Sequence, residues 1–342
     1  MSERIELLIG CDIGAPLAAG AQSRKTILIE AARAGNRHYT ITATGRNGRL
    51  VRKLDRGGHW TDSRRGWRIP DLARSIVEDH PRVSVAAFDF PFSIPLDLLQ
   101  SAAFAHEVGV NAAFGTRANW THFVEQHVGL EFESNNAGAK LRFDTVLHGW
   151  KHKGFWKKRA TDVPTNAQPA LKHMYQNLFN MTLVGSRFLC SLRDGDMQIL
   201  LRPEERGRRL AGSVIETYPG AVAAAVGFKG NYKQEPECCL KAAISYLQQQ
   251  GIALDFDLEV QKFCLEYRTP PNDPDGADGF LCLVAAICFR EGLAEWHRGD
   301  ATAERLGEEG CIVTPVRLLS TSGERVRTPF PSVENYAEPL VK

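Results

Sequence analysis

The sequence predicts an α/β protein with a mixed five-stranded sheet flanked by helices, and three observations lead there. An apolar run of strand length, residues 5–13 (IELLIGCDI), is followed by two more strand-like runs separated by turn residues. A later run, VSVAAFDF (83–90), is apolar apart from Ser84 and Asp89, which suits a central strand covered on both faces. Beyond it helical and strand-like segments alternate, and such alternation demands parallel pairing with right-handed crossovers.

The elements justify themselves in turn. The first strand carries Asp12 near its end and is followed by Gly14 and Pro16. KTILIEAAR (25–33) and HYTITATG (38–45) come next with AGN (34–36) between them, so the opening reads as a three-stranded antiparallel meander. WRIPDLARSIVEDH (67–80) reads as a helix, with Pro70 in its first turn and Leu72, Ile76 and Val77 at helical spacing. The fourth strand follows at 83–90. From Ile94 to about Arg209 helical segments alternate with polar loops such as ESNNAG (133–138), and the stretch 96–210 is read as a mainly helical insertion. SVIETY (213–218), closed by Pro219 and Gly220, is the fifth strand. QEPECCLKAAISYLQQQG (234–251) reads as a helix stopped by Gly251, and DLEVQKFCLEY (257–267) as another. TPPNDPDGADG (269–279) leads into an apolar helix, FLCLVAAICFREG (280–292), and CIVTPV (311–316) precedes a polar tail.

Three strands, a helix, a strand, helices, a strand and a helix make up the element order of the ribonuclease-H-like fold. The expected sheet order is 3-2-1-4-5, with only strand 2 antiparallel. The chain has 342 residues, more than the roughly 150 of an average domain. It is read as one domain over 1–342, enlarged by the insertion between strands 4 and 5.

Composition excludes several classes. Hydrophobic residues make up 43% and charged residues 24%, which rules out wholesale disorder. The formal charge is +2, from 42 Lys+Arg against 40 Asp+Glu, so any grip on nucleic acid must come from a local basic patch. No stretch approaches the roughly 18–20 apolar residues of a spanning helix, so no membrane partner is expected. The start lacks the pattern of a signal peptide, and a cytoplasmic location is expected. Eight cysteines are too dilute for a disulfide scaffold; Cys11, Cys282, Cys288 and Cys311 lie in apolar runs and read as small buried hydrophobes.

The acids carry the chemistry. Asp12, Asp89 and Glu216 fall at or near the ends of strands 1, 4 and 5, which are parallel neighbours in the proposed order. Those ends form the edge where open α/β sheets bind ligands. Asp275 and Asp278, three apart at the start of the last long helix, share one helical face. Carboxylates converging in this way repel unless a cation holds them. Magnesium, or manganese in its place, fits such oxygen ligands. Two ions about 4 Å apart stabilise both the attacking and the leaving oxygen of a displacement at phosphorus. Taken singly, each acid also has an ordinary reading, Asp275 and Asp278 as helix-start residues and the others as polar strand ends.

GCDIGAP (10–16), FDFPFSIP (88–95), KRATDVP (158–164), VIETYPGA (214–221), GFKGNYK (227–233), DGADGFLCLVAA (275–286) and EEGCIVTP (308–315) occur in that order. Together they resemble the predicted ribonuclease-H-like nucleases of domain of unknown function family 429. The final acid-x-x-acid helix is similar to that of the bacterial Holliday-junction resolvases. The resemblance spans about two-thirds of the chain and leaves out the region from 96 to about 156. Gly279, where the family usually has alanine, and the missing tryptophan after Asp12 are departures that remove no carboxylate.

The resemblance implies a metal-dependent phosphodiesterase with Asp12, Asp89, Glu216 and Asp278 as catalytic acids. The metal set expected is Asp12, Asp89, Asp275 and Asp278, with Asp12 bridging two ions, Asp89 and Asp278 completing one side each, and Glu216 or Asp275 as a further ligand. Lys229, Lys233 and Arg159 are candidates to hold the phosphate. WKHKGFWKKR (150–159) interleaves rings with cations, and Trp150, Lys153, Trp156, Lys157, Lys158 and Arg159 suit a nucleic-acid strand whose bases stack while its phosphates are tracked. Tyr218 reads as a packed ring with a bonded hydroxyl. Two other classes compete. An actin-like or sugar-kinase-like ATPase fits GCDIG loosely but lacks a second glycine-rich phosphate hairpin after strand 4. A catalytically inactive nucleic-acid-binding protein would not need the full set of acids.

Overall fold

The computed structural model describes residues 6–13, 26–41, 69–78, 82–127, 157–172, 178–206, 212–256, 258–266 and 275–317. Strands β1 (Leu7–Ile13), β2 (Thr26–Gly35) and β3 (His38–Ile41) form the antiparallel meander, followed by helix α1 (Ile69–Glu78) and strand β4 (Val83–Asp89). The insertion contributes α2 (Leu96–Leu99), α3 (Ala102–Glu107), α4 (Arg117–His127), α5 (Asp162–Thr165) and α6 (Leu178–Asp194). Strand β5 (Gln198–Leu200) then leads to β6 (Ser213–Glu216). The remainder comprises α7 (Pro219–Ala225), α8 (Pro236–Gln249), β7 (Ala253–Phe256), α9 (Leu258–Glu266), α10 (Asp275–Arg290), β8 (Ala294–His297), α11 (Ala303–Glu309) and β9 (Ile312–Pro315).

These strands make one curled mixed sheet in the order β7-β3-β2-β1-β4-β6-β9-β8, with β5 also pairing β6. The sheet has nine strands among the described residues, where five were expected. β7, β8 and β9 are four residues each and β5 only three, lengths at which alternation carries almost no signal. Near the end of the stretch 96–210, β5 joins the sheet in parallel beside the start of β6.

Burial follows the pattern of the runs. Every residue of β1 is buried, as is all of β4 except half-buried Asp89, so these strands are covered on both faces. One face carries Leu8, Val85, Ala87 and Ile215 under α7, α8, α9 and α10; the other carries Ile9, Cys11, Ala86, Phe88 and Val214 under α1 and α6. A third cluster, including Phe104, Phe114, Trp120 and Leu171, holds the insertion together. All eight cysteines are free and seven are buried. Among the described residues no helix is long and apolar enough to cross a membrane.

The approach of α10 to β1 depends on one residue. A Cβ at Gly10 would lie 2.0 Å from the backbone nitrogen of Leu283 and 2.6 Å from the carbonyl oxygen of Gly279. Backbone cannot rotate away, so the helix would have to lift off the sheet. Gly10→Ala is expected to cost about 3 kcal/mol, with urea unfolding as the measurement; an unchanged midpoint would refute the contact.

Candidate metal centre

Alternation along β1 brings Asp12 to the site. Leu8 and Gly10 face α10, and Asp12, two residues further, faces the same way. Asp89 is the register partner of Asp12 on parallel β4, following Val85 and Ala87 on the same face. Asp275 and Asp278 occupy the first turn of α10, where acids are favoured by the exposed N–H groups of the helix. Here they are also buried, with Asp12 at 6% exposure, Asp275 at 5% and Asp278 at 4%.

One carboxylate oxygen from each of Asp12, Asp275 and Asp278 lies within 4.8 Å of the others, and this buried triad could hold a metal ion. Asp89 stands beside the triad without belonging to it. Burial holds the Asp12 carboxyl well above the usual range; the charges of Asp275, Asp278 and Asp89 push it further, and Lys233 opposes them. Three ionised carboxylates so close together are unfavourable without a cation.

The loop between α7 and α8 closes over this cluster. Lys233 places its Nζ 3.9 Å from Oδ2 of Asp278, and the Tyr232 hydroxyl donates to Asp278. Burial, then the charges of Asp278 and Asp89, hold the Tyr232 phenol well above its usual range, so it keeps its proton. Tyr218, at the start of α7, is half-buried, and the charges of Asp89 and Asp278 reach it.

Two expectations are overturned. Glu216 is not part of the acid cluster. It is the register partner of Phe88, not Asp89, and follows Val214 onto the opposite face of the sheet. Arg159 is not a surface contact for phosphate, for it is 1% exposed. Its Nε and Nη2 donate to Oδ1 of Asp162 at 3.1 and 2.7 Å, its Nη1 to Oε2 of Glu216 at 2.8 Å, and its Nη2 to Oε1 of Glu216. Nη1 also donates to the carbonyl oxygen of Glu309 at 3.0 Å. Burial disfavours the guanidinium charge, but Asp162 and Glu216 outweigh it and hold the group charged. Glu216 and Glu309 also accept from the backbone N–H of Phe92 and Leu96, at 2.9 and 2.8 Å. The network thus ties the loop after β4 to the insertion and to α11.

Of the remaining expected contacts, Trp150, Lys153 and Trp156 lie outside the described residues. Lys157 is exposed, and Lys158 is half-buried with its Nζ 3.4 Å from Oδ1 of Asn166. Lys229 is exposed in the loop that carries Lys233. Sequence reasoning missed Tyr232 as a partner of Asp278 and Asp162 and Glu309 as partners of buried Arg159. The i,i+3 spacing of Arg159 and Asp162 was the one local signal available.

Comparison with known proteins finds no family model, curated protein or solved structure that matches the chain.

Proposed function

We propose that the protein is a divalent-metal-dependent nuclease of ribonuclease-H-like type, hydrolysing phosphodiester bonds in nucleic acid. The observation that carries this reading is the buried Asp12–Asp275–Asp278 triad, with Asp89 alongside, at the carboxyl edge of parallel strands. The antiparallel pairing of β1 with β2 and the parallel pairing of β1 with β4 and of β4 with β6 support this reading. The motif series from GCDIGAP to EEGCIVTP supports the same reading.

The donor set is made of carboxylate oxygens with no thiolate or imidazole in the triad, which favours magnesium or manganese over zinc. A bound ion supplies activation of water and stabilisation of the leaving oxygen at phosphorus. Asp12 from β1 and Asp275 and Asp278 from α10 would hold such an ion. The Tyr232 hydroxyl orients the Asp278 carboxylate. Lys233, with its Nζ 3.9 Å from Oδ2 of Asp278, is the cation within reach of the cluster that would attract a substrate phosphate.

The test offers the purified protein and Asp12→Ala labelled single strands, duplexes, hybrids and branched junctions of DNA and RNA, with magnesium, manganese or chelator. The expected result is cleavage that needs both the metal and Asp12. Equal cleavage by protein and variant would mean contamination and would overturn the reading. Magnesium-dependent ATP turnover without nucleic-acid cleavage would favour the actin-like alternative.

A further inference from the structure

Past the carboxyl end of β6, the parallel neighbour of β4, lies a cavity of about 270 Å³ whose lining residues include no acid. Tyr218 and Gly220 from the start of α7, Thr165 and Asn166 from the end of α5, His297 from the end of β8 and Arg317 after β9 line it. Tyr218 belongs to both places, since its ring lines the cavity while the charges of Asp89 and Asp278 reach it. The ring rests on Gly220, where a Cβ would come within 3.1 Å of it.

The walls are fixed against one another. Gly299, at φ +56, lies directly on Ala160, where a Cβ would fall 2.2 Å from the carbonyl oxygen. This holds the end of β8 against the segment that leads into α5. His297 bonds Thr314 at 2.7 Å, tying β8 to β9. Asn166 takes a left-handed backbone, φ 54, at the end of α5, and Lys158 donates to its side-chain oxygen at 3.4 Å. Tyr218, Asn166 and exposed Arg317 therefore line one compartment below the size of about 300–1,000 Å³ that encloses a drug-sized ligand.

We propose that this cavity seats one unpaired nucleotide next to the scissile phosphate, its base against the Tyr218 ring, its edge toward Asn166 and its phosphate toward Arg317. A planar base fits this space and a base pair does not, so the preferred substrate is single-stranded or locally unpaired nucleic acid. The inference rests on the nuclease reading for its position in the substrate, but the cavity's affinity for a nucleotide does not depend on the metal.

The experiment uses the full chain in chelator and measures binding of nucleoside monophosphates, nucleosides and inorganic phosphate by calorimetry. Monophosphates are expected to bind and phosphate alone not to. Tyr218→Leu should weaken them about tenfold, the scale of losing one base–ring stack. Because Tyr218 is half-buried, Arg317→Gln on the exposed rim provides the second variant; it should remove the advantage of monophosphate over nucleoside. No binding of monophosphates, or binding unchanged in both variants, overturns the proposal. With magnesium, faster cleavage of single strands than of intact duplex is expected, and the reverse order overturns it. Nucleotide binding in chelator with no cleavage in metal would uphold the cavity and reject the nuclease.

Discussion

Asp12→Asn should abolish metal-dependent cleavage while making the metal-free protein more stable. Loss of activity is expected to be about a thousandfold or more, since a metal-assisted step relies on several kcal/mol and each 1.36 kcal/mol is tenfold. In chelator, at pH values where Asp12 is ionised, removing that charge should add roughly 0.5–2 kcal/mol, the range of single stabilising substitutions. The pH dependence has a definite sign. Folded Asp12 keeps its proton to higher pH than the unfolded chain does, chiefly through burial and then through Asp275 and Asp278. Its contribution is complete below the usual aspartate range and is lost as pH rises through the elevated folded value. Metal-free stability should therefore fall as pH rises from the acid side, and Asp12→Asn should flatten that fall. Magnesium should restore stability more at higher pH, because the ligands must be deprotonated to bind it. Thermal unfolding across pH, with and without magnesium, checks each part. A metal-free variant less stable than the parent would sink the electrostatic account of the triad.

Arg159→Met carries the second large effect, and it is expected on stability first. Removing the guanidinium leaves Asp162 and Glu216 buried without their partner, a loss of about 3–5 kcal/mol for a broken buried pair. Glu216→Gln in the same chain should recover part of it, because one of the two stranded charges is gone. Urea unfolding of parent, single and double variants measures the coupling. If Arg159→Met keeps the parent's stability and weakens only nucleic-acid binding, the buried network described here is wrong. The consequence for function is indirect. This network anchors the loop after β4 through Phe92 and Leu96, just beyond Asp89, so its loss should also loosen that edge of the site.

Much of the site could be read from local pattern. Asp12 and Asp89 interrupt apolar runs near their ends, and Asp275 and Asp278 share a helical face at spacing three. Their meeting then needed only that strands 1 and 4 be parallel neighbours, which alternation with helices implies. Glu216 looked equivalent by the same reasoning and is not. It ends its strand as the other acids do, but its register partner is Phe88, one residue short of Asp89. With a side-chain period of two, that single step moves the carboxylate through the sheet to the other face.

Arg159 failed for a different cause. A run of lysines, arginine and aromatics reads as a solvent-facing basic patch, and Lys157 is indeed exposed. What buries Arg159 is a glutamate 57 residues along the chain, on a strand it does not adjoin in sequence. Nothing within a window of a few residues can announce such a partner. Strands β5, β7, β8 and β9 were not among those expected; each is only three or four residues long and has no long apolar run of the kind that marks β1 and β4.

Periodicity and position in the chain thus sufficed for the α/β class and for placing acids near the ends of β1 and β4 and at the start of α10, since those depend on repeats of two and of about 3.6 residues. Register, the face each acid occupies and the partner each buried charge finds belong to pairings between distant segments. They emerge when the sheet closes, because a one-residue offset there reverses what a side chain meets.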